Sequence, residues 1–225
     1  MKIGIISDIH GNYPALENVV TELHKMECDR IVCLGDISGY YSMINECIDL
    51  IRKENICCIK GNHDTYLLGE GSCPRSNSVN RCIEYQKGII TEDNYQWLAS
   101  LPDELKTKEF YAVHGGWNDP IDEYIEHFDF TWALENMAEY KLFLSGHTHV
   151  QKIETCGSLT YCNPGSIGQP RDYDARAAFA IFEDGRITLK RVAYDIQVIA
   201  KHMSDAGFSD YFYKNLYCGC KIGEF

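Results

Sequence analysis

The sequence predicts an α/β fold, on three observations. Strand-like apolar runs alternate with amphipathic helical patterns from the N-terminus to Ile59. Beyond Val150 the pattern changes to strands joined by tight turns. Along the chain, five short polar motifs each follow a hydrophobic run.

Residues 3–7 read as a buried strand. Asn12 then caps a helix with Pro14 in its first turn, where a missing N–H costs little. This helix runs to about Met26, and Leu16, Val19, Val20 and Leu23 give its apolar face at helical spacing. Residues 30–34 form the second strand. A second helix spans about 42–53, with Ile44, Cys47, Ile48 and Ile51 facing inward, and 56–59 is the third strand. Such alternation implies a parallel sheet with right-handed crossovers. Residues 65–108 interrupt it: Gly69, Gly71, Pro74, Ser76 and Ser78 mark a loop, and helical patterns follow at about 79–87 and 91–101. The segment is too short for a domain of its own. It reads as a small helical cap-like insertion in a single domain spanning 1–225. Strands at 110–113 and 141–144 each end on a histidine motif, with a helical stretch at 130–140 between them. From 150 to 194, turns at Cys156-Gly157-Ser158 and Asp184-Gly185 give a hairpin signature and predict an antiparallel half. Helices at 195–202 and 209–216 close the chain.

The net charge of −12 argues against a footprint on duplex nucleic acid, which needs a basic surface. It leaves a phosphate ligand open, because divalent cations reverse the sign locally. No apolar run approaches the roughly 18 residues of a membrane span. The N-terminus also lacks the apolar stretch and cleavage site of a signal peptide. A cytoplasmic location with no membrane partner is therefore expected. The eleven cysteines are odd in number and include no pair of C-x-x-C motifs, so reduced thiols are expected. Cys218 and Cys220 are the least secure of them.

The five motifs are Asp8-Ile9-His10, Gly35-Asp36, Gly61-Asn62-His63-Asp64, His114-Gly115 and Gly146-His147-Thr148-His149. All sit at strand ends, where open α/β sheets bind ligands. Asp8 and His10 are two residues apart, so an extended backbone would send both to one side, and His147 and His149 share that spacing. Gly35, Gly61 and Gly146 would let the chain turn sharply before the motif residue. Taken singly, a Gly-Asp is an ordinary turn and a histidine after a strand an ordinary hydrogen-bonded residue. Together they point to metal. Asp8, His10, Asp36, Asn62, His114, His147 and His149 make seven candidate ligands. That is too many for one tetrahedral ion and suits two ions sharing a carboxylate. Imidazole, carboxylate and amide donors without a thiolate suit manganese, iron, zinc, nickel or cobalt.

In this order the motifs resemble the calcineurin-like metallophosphoesterase superfamily, over residues 1 to about 168. The resemblance implies a four-layer αββα sandwich of two mixed β-sheets flanked by helices, around a dinuclear site. It implies that Asp8, His10, Asp36 and His149 hold one divalent ion. Asp36 would bridge to a second, held also by Asn62, His114 and His147, with manganese the first candidate for both. It further implies in-line attack on phosphorus by a hydroxide between the metals. His63 would be the catalytic histidine at the leaving oxygen, with Asp64 orienting its ring. Protein Ser/Thr phosphatases of the superfamily carry an arginine in the second motif, which Gly35-Asp36-Ile37-Ser38-Gly39-Tyr40 lacks. The chain is more similar to the small prokaryotic phosphoesterases, the diadenosine tetraphosphatase-related group. It shares with them His114-Gly115-Gly116-Trp117-Asn118-Asp119-Pro120, Asn163-Pro164-Gly165-Ser166 and Gly168-Gln169-Pro170-Arg171-Asp172. Arg171 would either give a substrate phosphate the missing cation or pair with Asp172 or another surface carboxylate. Tyr40, Tyr41, Trp117 and Tyr173 follow motif loops and are expected to pack, with stacking on a base the alternative. The expected activity is hydrolysis of a small phosphodiester, nucleotide or dinucleoside polyphosphate. The alternatives are a Ser/Thr-type protein phosphatase and a non-catalytic scaffold of the retromer-subunit type.

Overall fold

Strand periodicity builds the architecture. In the computed structural model, which describes residues 1–224, two five-stranded mixed sheets face each other. The first sheet contains β1 (Lys2–Ile6), β2 (Arg30–Cys33) and β3 (Cys57–Cys58), which run parallel. The second contains β4 (Glu104–Lys106), β5 (Tyr111–Val113), β6 (Leu142–Leu144), β7 (Gln151–Cys156) and β8 (Leu159–Pro164), in the order β4-β5-β6-β8-β7. The hairpin of β9 (Ala177–Glu183) and β10 (Arg186–Val192) completes the first sheet, antiparallel to β1. Alternate residues then sort into layers. Ile3, Ile5, Val32 and Leu34 meet Phe110, Ala112, Leu142 and Leu144 between the sheets. Tyr111, Val113, Phe143 and Tyr161 turn outward to α6 (Phe130–Asn136). Ile6, Cys33 and Phe179 face α1 (Tyr13–Lys25), α2 (Ile44–Lys53) and α7 (Ile196–Asp205). Each buried isoleucine contributes roughly 1.5–3 kcal/mol through apolar burial. The result is the expected helix-sheet-sheet-helix sandwich.

Local chemistry sets the elements much as their residues suggest. Asn12 caps α1 through Ala15 N–H, with Pro14 in the first turn. Asp184 (φ 51°) and Gly185 (φ 75°) both adopt positive φ, which is the turn that a twisted two-residue hairpin requires. Three long-range features depart from expectation. The antiparallel half is divided: β7 and β8 pair with each other and β8 joins β6 in the second sheet, while β9 and β10 belong to the first. A short edge strand, β4, follows the helices of the 65–108 segment. The stretch 209–216 forms two 3-10 turns, Asp210–Phe212 and Lys214–Tyr217. Tyr213 (φ −137°) breaks the helix between them and lets both Phe212 and Leu216 bury.

Within 65–108, α4 (Asn77–Ile89) and α5 (Glu92–Ala99) bury Val79, Cys82, Ile83 and Leu98 in the core shared with α1 and α2. The part of this segment that borders the cleft described below is the loop bearing Cys73, Arg75 and Ser76. All eleven cysteines are free, and burial pushes the Cys47 and Cys58 thiols well up, as fits packing side chains. Among the described residues, no helix is long and apolar enough to cross a membrane.

Candidate metal centre

β1, β2, β3, β5 and β6 bring their carboxyl ends together, and each delivers one motif to the same place. The backbone there is not extended. Asp8 (φ 55°), His10 (55°), Asp36 (54°), His147 (66°) and His149 (62°) are all left-handed. Asp and His are among the few non-glycine types that enter this region readily. The paired side chains thus reach one site through tight turns, not through strand alternation. Gly35 (φ 95°) makes such a turn, but Gly61 (φ −114°) does not. Close approach explains Gly61 and Gly146 instead: a Cβ at Gly61 would overlap the Asp36 carboxylate, and one at Gly146 the Ser7 hydroxyl.

Two buried groups of donor atoms result, Asp8/His10/Asp36/His149 and Asp36/His114/His147, each with its atoms within 4.8 Å of one another. Asp36 belongs to both. His149 Nε2 lies 3.2 Å from Asp8 Oδ1 and 3.0 Å from His10 Nε2. His114 Nε2 lies 3.4 Å from Asp36 Oδ2 and 3.2 Å from Asn62 Oδ1, which brings the amide to the second group. The rings are aimed from behind. Nδ1 of His10 donates to Ser38 O (2.9 Å), that of His114 to Leu34 O (2.8 Å) and that of His149 to Gln169 O (2.6 Å). A carbonyl at Nδ1 orients each ring with Nε2 toward the centre, where its lone pair is the one offered when that nitrogen is unprotonated. Asp8 Oδ1, Asp36 Oδ2 and His147 Nε2 are buried without a hydrogen-bond partner among the described residues. Orphaned acceptors of this kind are costly unless a cation takes them, so the donor set fits divalent metal.

Electrostatics agree. Burial opposes ionisation of Asp8, yet the neighbouring His149 and His10 imidazoles hold it well below the usual carboxylate range. Asp36 is likewise lowered against burial, by His114 and His63. Burial alone would lower His114, but the Asp36 carboxylate outweighs it and pushes His114 up to about 10. Burial and the His114 charge push His147 down to about 3, and burial with the Arg171 charge pushes His149 down to about 4.

A cleft of about 430 Å³ opens over these groups, bordered by Tyr40, His63, Arg171, Tyr124, Arg75 and Lys221 among others. His63 Nε2 lies 4.0 Å from Asp36 Oδ2, and burial pushes this imidazole well below its ordinary value. Asp64 does not orient the His63 ring. Its carboxylate accepts from Ser38 N (2.8 Å), Ser38 Oγ (2.8 Å), Gly61 N (3.0 Å) and Ile37 N (3.3 Å), and His63 Nδ1 has no partner among the described residues. As the third residue of α3 (Asn62–Leu67), Asp64 reaches back to the N-cap N–H and ties the third motif to the second. Arg171 does not pair with Asp172, which Arg191 takes. Arg171 bonds Gln169 Oε1 and Tyr40 Oη (2.8 Å), and among the described residues no carboxylate forms an ion pair with it. Tyr41 and Trp117 pack in the two outer cores, and Tyr173 is 80% exposed and off the cleft.

Several neighbours had no expected role. Gln86, wholly buried on α4, accepts from Gly39 N–H and donates to Tyr41 O, holding the loop after Asp36. Its signal was a polar residue on the apolar face of Val79, Cys82 and Ile83. Asp122 and Tyr124 come from a loop with no periodicity to reveal them. Asp122 Oδ1 lies 3.5 Å from His147 Nε2, and the Tyr124 ring centroid is 4.0 Å from that of His147.

A family model described as the calcineurin-like phosphoesterase superfamily domain matches residues 1–184. An uncharacterized protein of Methanocaldococcus jannaschii is 34% identical over 87% of this chain and 88% of its own length. The crystal structure of a metallophosphoesterase from Sphaerobacter thermophilus superposes with a TM-score of 0.81 at 33% identity, over 97% of this chain and 99% of that one. The phosphodiesterase YfcE of Escherichia coli is 24% identical over 76% of this chain and 82% of its own length. Matched over most of its length, and carrying buried acid and imidazole clusters fit for the metal on which this family depends, the chain belongs to the calcineurin-like phosphoesterase superfamily.

Proposed function

We propose that this chain is a metal-dependent hydrolase of a small phosphodiester, nucleotide or dinucleoside polyphosphate. One observation carries the reading: two buried donor groups share Asp36 beneath a cleft whose wall holds Arg171 without a carboxylate partner. Asp8, His10, Asp36 and His149 would hold one divalent ion, and Asp36, Asn62, His114 and His147 a second. The nitrogen and oxygen donors suit manganese first, with iron, zinc, nickel or cobalt as alternatives. Such ions, when bound, polarise a phosphoryl oxygen and lower the pKa of a water, which supplies a nucleophile at neutral pH. The protein's own groups do the rest. Arg171 binds a phosphoryl oxygen, since a guanidinium facing a cleft without a counter-charge is a ready anion site. His63, kept neutral by burial, would donate its ring N–H as a hydrogen bond to the charge developing on the leaving oxygen. Asp64 and Gln86 hold the loops that carry Asp36 and His63.

The absence of an arginine after Asp36 counts against a Ser/Thr protein phosphatase, and the complete donor set counts against a scaffold. Bis(p-nitrophenyl) phosphate and p-nitrophenyl phosphate, each with and without Mn²⁺, test the reading. Diester turnover that requires metal supports it, and no turnover of either with any first-row divalent ion would leave the scaffold. A panel of nucleotides, dinucleoside polyphosphates and cyclic nucleotides then narrows the substrate.

A further inference from the structure

Tyr124 is the unexplained residue of the cleft. A large aromatic side chain 47% exposed is ordinary on a surface, but this one is held on three sides. Its ring packs against His147 at a centroid distance of 4.0 Å. The Arg75 guanidinium lies 5.4 Å from the ring centroid and is itself fixed by a two-pronged pairing with Asp122. Tyr124 and Arg171 also border the same cleft, near enough for phenol and guanidinium to interact. The side chain therefore borders the cleft with His147 of the second donor group behind it and Arg171 as a cation nearby. Packing alone does not require a hydroxyl, and phenylalanine would cover His147 as well.

Arg171 has five N–H donors in a planar fork. Gln169 and Tyr40 take the one on Nε and both on Nη2, which leaves the two on Nη1. Arg171 itself borders the cleft, so these donors are available to a ligand there. We infer that Tyr124 and Arg171 together clamp one non-bridging oxygen of the substrate phosphoryl group, the phenol O–H as a neutral donor and the guanidinium as a charged one. The inference rests on the phosphoesterase reading and assigns a substrate-contacting residue outside the five motifs. The phenol is placed before substrate arrives, so its donation loses little entropy of ordering. The clamp stands in for the arginine that the second motif lacks.

Tyr124→Phe removes the donor and keeps the ring on His147. A hydrogen bond to a charged oxygen predicts that inorganic phosphate binds the Mn²⁺-loaded variant roughly tenfold more weakly or worse in titration calorimetry. The same variant should raise KM for bis(p-nitrophenyl) phosphate by a similar factor, with bound metal unchanged by elemental analysis. Combined with Arg171→Gln, the losses should be less than additive, because both groups act on one oxygen. Unchanged phosphate affinity in Tyr124→Phe, with a loss only in Tyr124→Ala, would reduce Tyr124 to a cover for His147 and overturn the clamp, while wild-type turnover kept the hydrolase reading. The converse is also readable: Tyr124-dependent phosphate binding with no turnover by the wild type would sink the hydrolase and leave the anion site.

Discussion

The two donor groups share Asp36 and differ in what holds the rest. In the first, His10 and His149 are both braced by backbone carbonyls, and their Nε2 atoms face each other in the interior. In the second, His114 is braced in the same way, but His147 meets Tyr124 and Asp122 from a loop outside the sheets. One position is thus set wholly by the folded core. The other borrows part of its surroundings from the rim. A shared carboxylate does not make two metal positions equivalent, because affinity follows how firmly the ligands are aimed beforehand.

Asp36→Asn should give the largest effect, since it takes the negative charge from the residue common to both donor groups. We expect both metals to be lost on dialysis and turnover to fall by roughly 10³-fold or more; full retention of one metal would break the shared-carboxylate picture. His63→Ala should cost roughly 10²–10⁴-fold in turnover with metal content intact, and full turnover would remove His63 from the chemistry. The inequality of the halves comes next. Gradual chelation should strip metal in two steps, the His147 side first, with affinities differing by roughly 10- to 100-fold. His147→Ala should then leave one tightly held ion, whereas His149→Ala should leave only a weak one; the reverse order would refute the comparison.

The smallest effect is in protons. His114, raised to about 10, carries a proton at neutral pH before metal binds, whereas His149, lowered to about 4, does not. A ligand must be deprotonated, so filling the His114 side releases about one proton and its affinity climbs as pH rises toward that value. Calorimetry in buffers of different ionisation enthalpy measures this. No proton release in the second step would mean that Asp36 does not hold His114 charged.

The sheets and motif positions were legible because they rest on local rules. Alternation at Ile3 and Ile5, the helical stripe of α1 and the Asp184-Gly185 turn each state their geometry within a few residues. The division of the last four strands between two sheets was not, since strand order depends on contacts far apart in the chain. Three-residue β4, Glu-Leu-Lys at a sheet edge, carries too little apolar alternation to show. At the site, identities could be read but conformations could not. Asp8-x-His10 looks the same whether the backbone is extended or left-handed. An aspartate at the third helical position looks the same as a cap and as a partner for the preceding histidine, and Asp64 is the cap. Arg75 and Tyr124 sit in aperiodic loops, so nothing local joins them to the cleft.

The left-handed backbone of the motif residues has a consequence for how long the protein lasts. For an L-residue that conformation costs roughly 1–2 kcal/mol, and Asp8, His10, Asp36, His147 and His149 all adopt it where five strand ends meet. Against a net stability of about 5–15 kcal/mol for a typical domain, such a concentration leads us to expect that the metal-free centre opens before the rest of the fold. Amide exchange should be fastest in the motif loops after chelation and slow sharply on metal addition, and uniform exchange in both states would contradict this. Metal supply would then govern how readily a protease can enter between the two sheets, and so the lifetime of the molecule as well as its reaction.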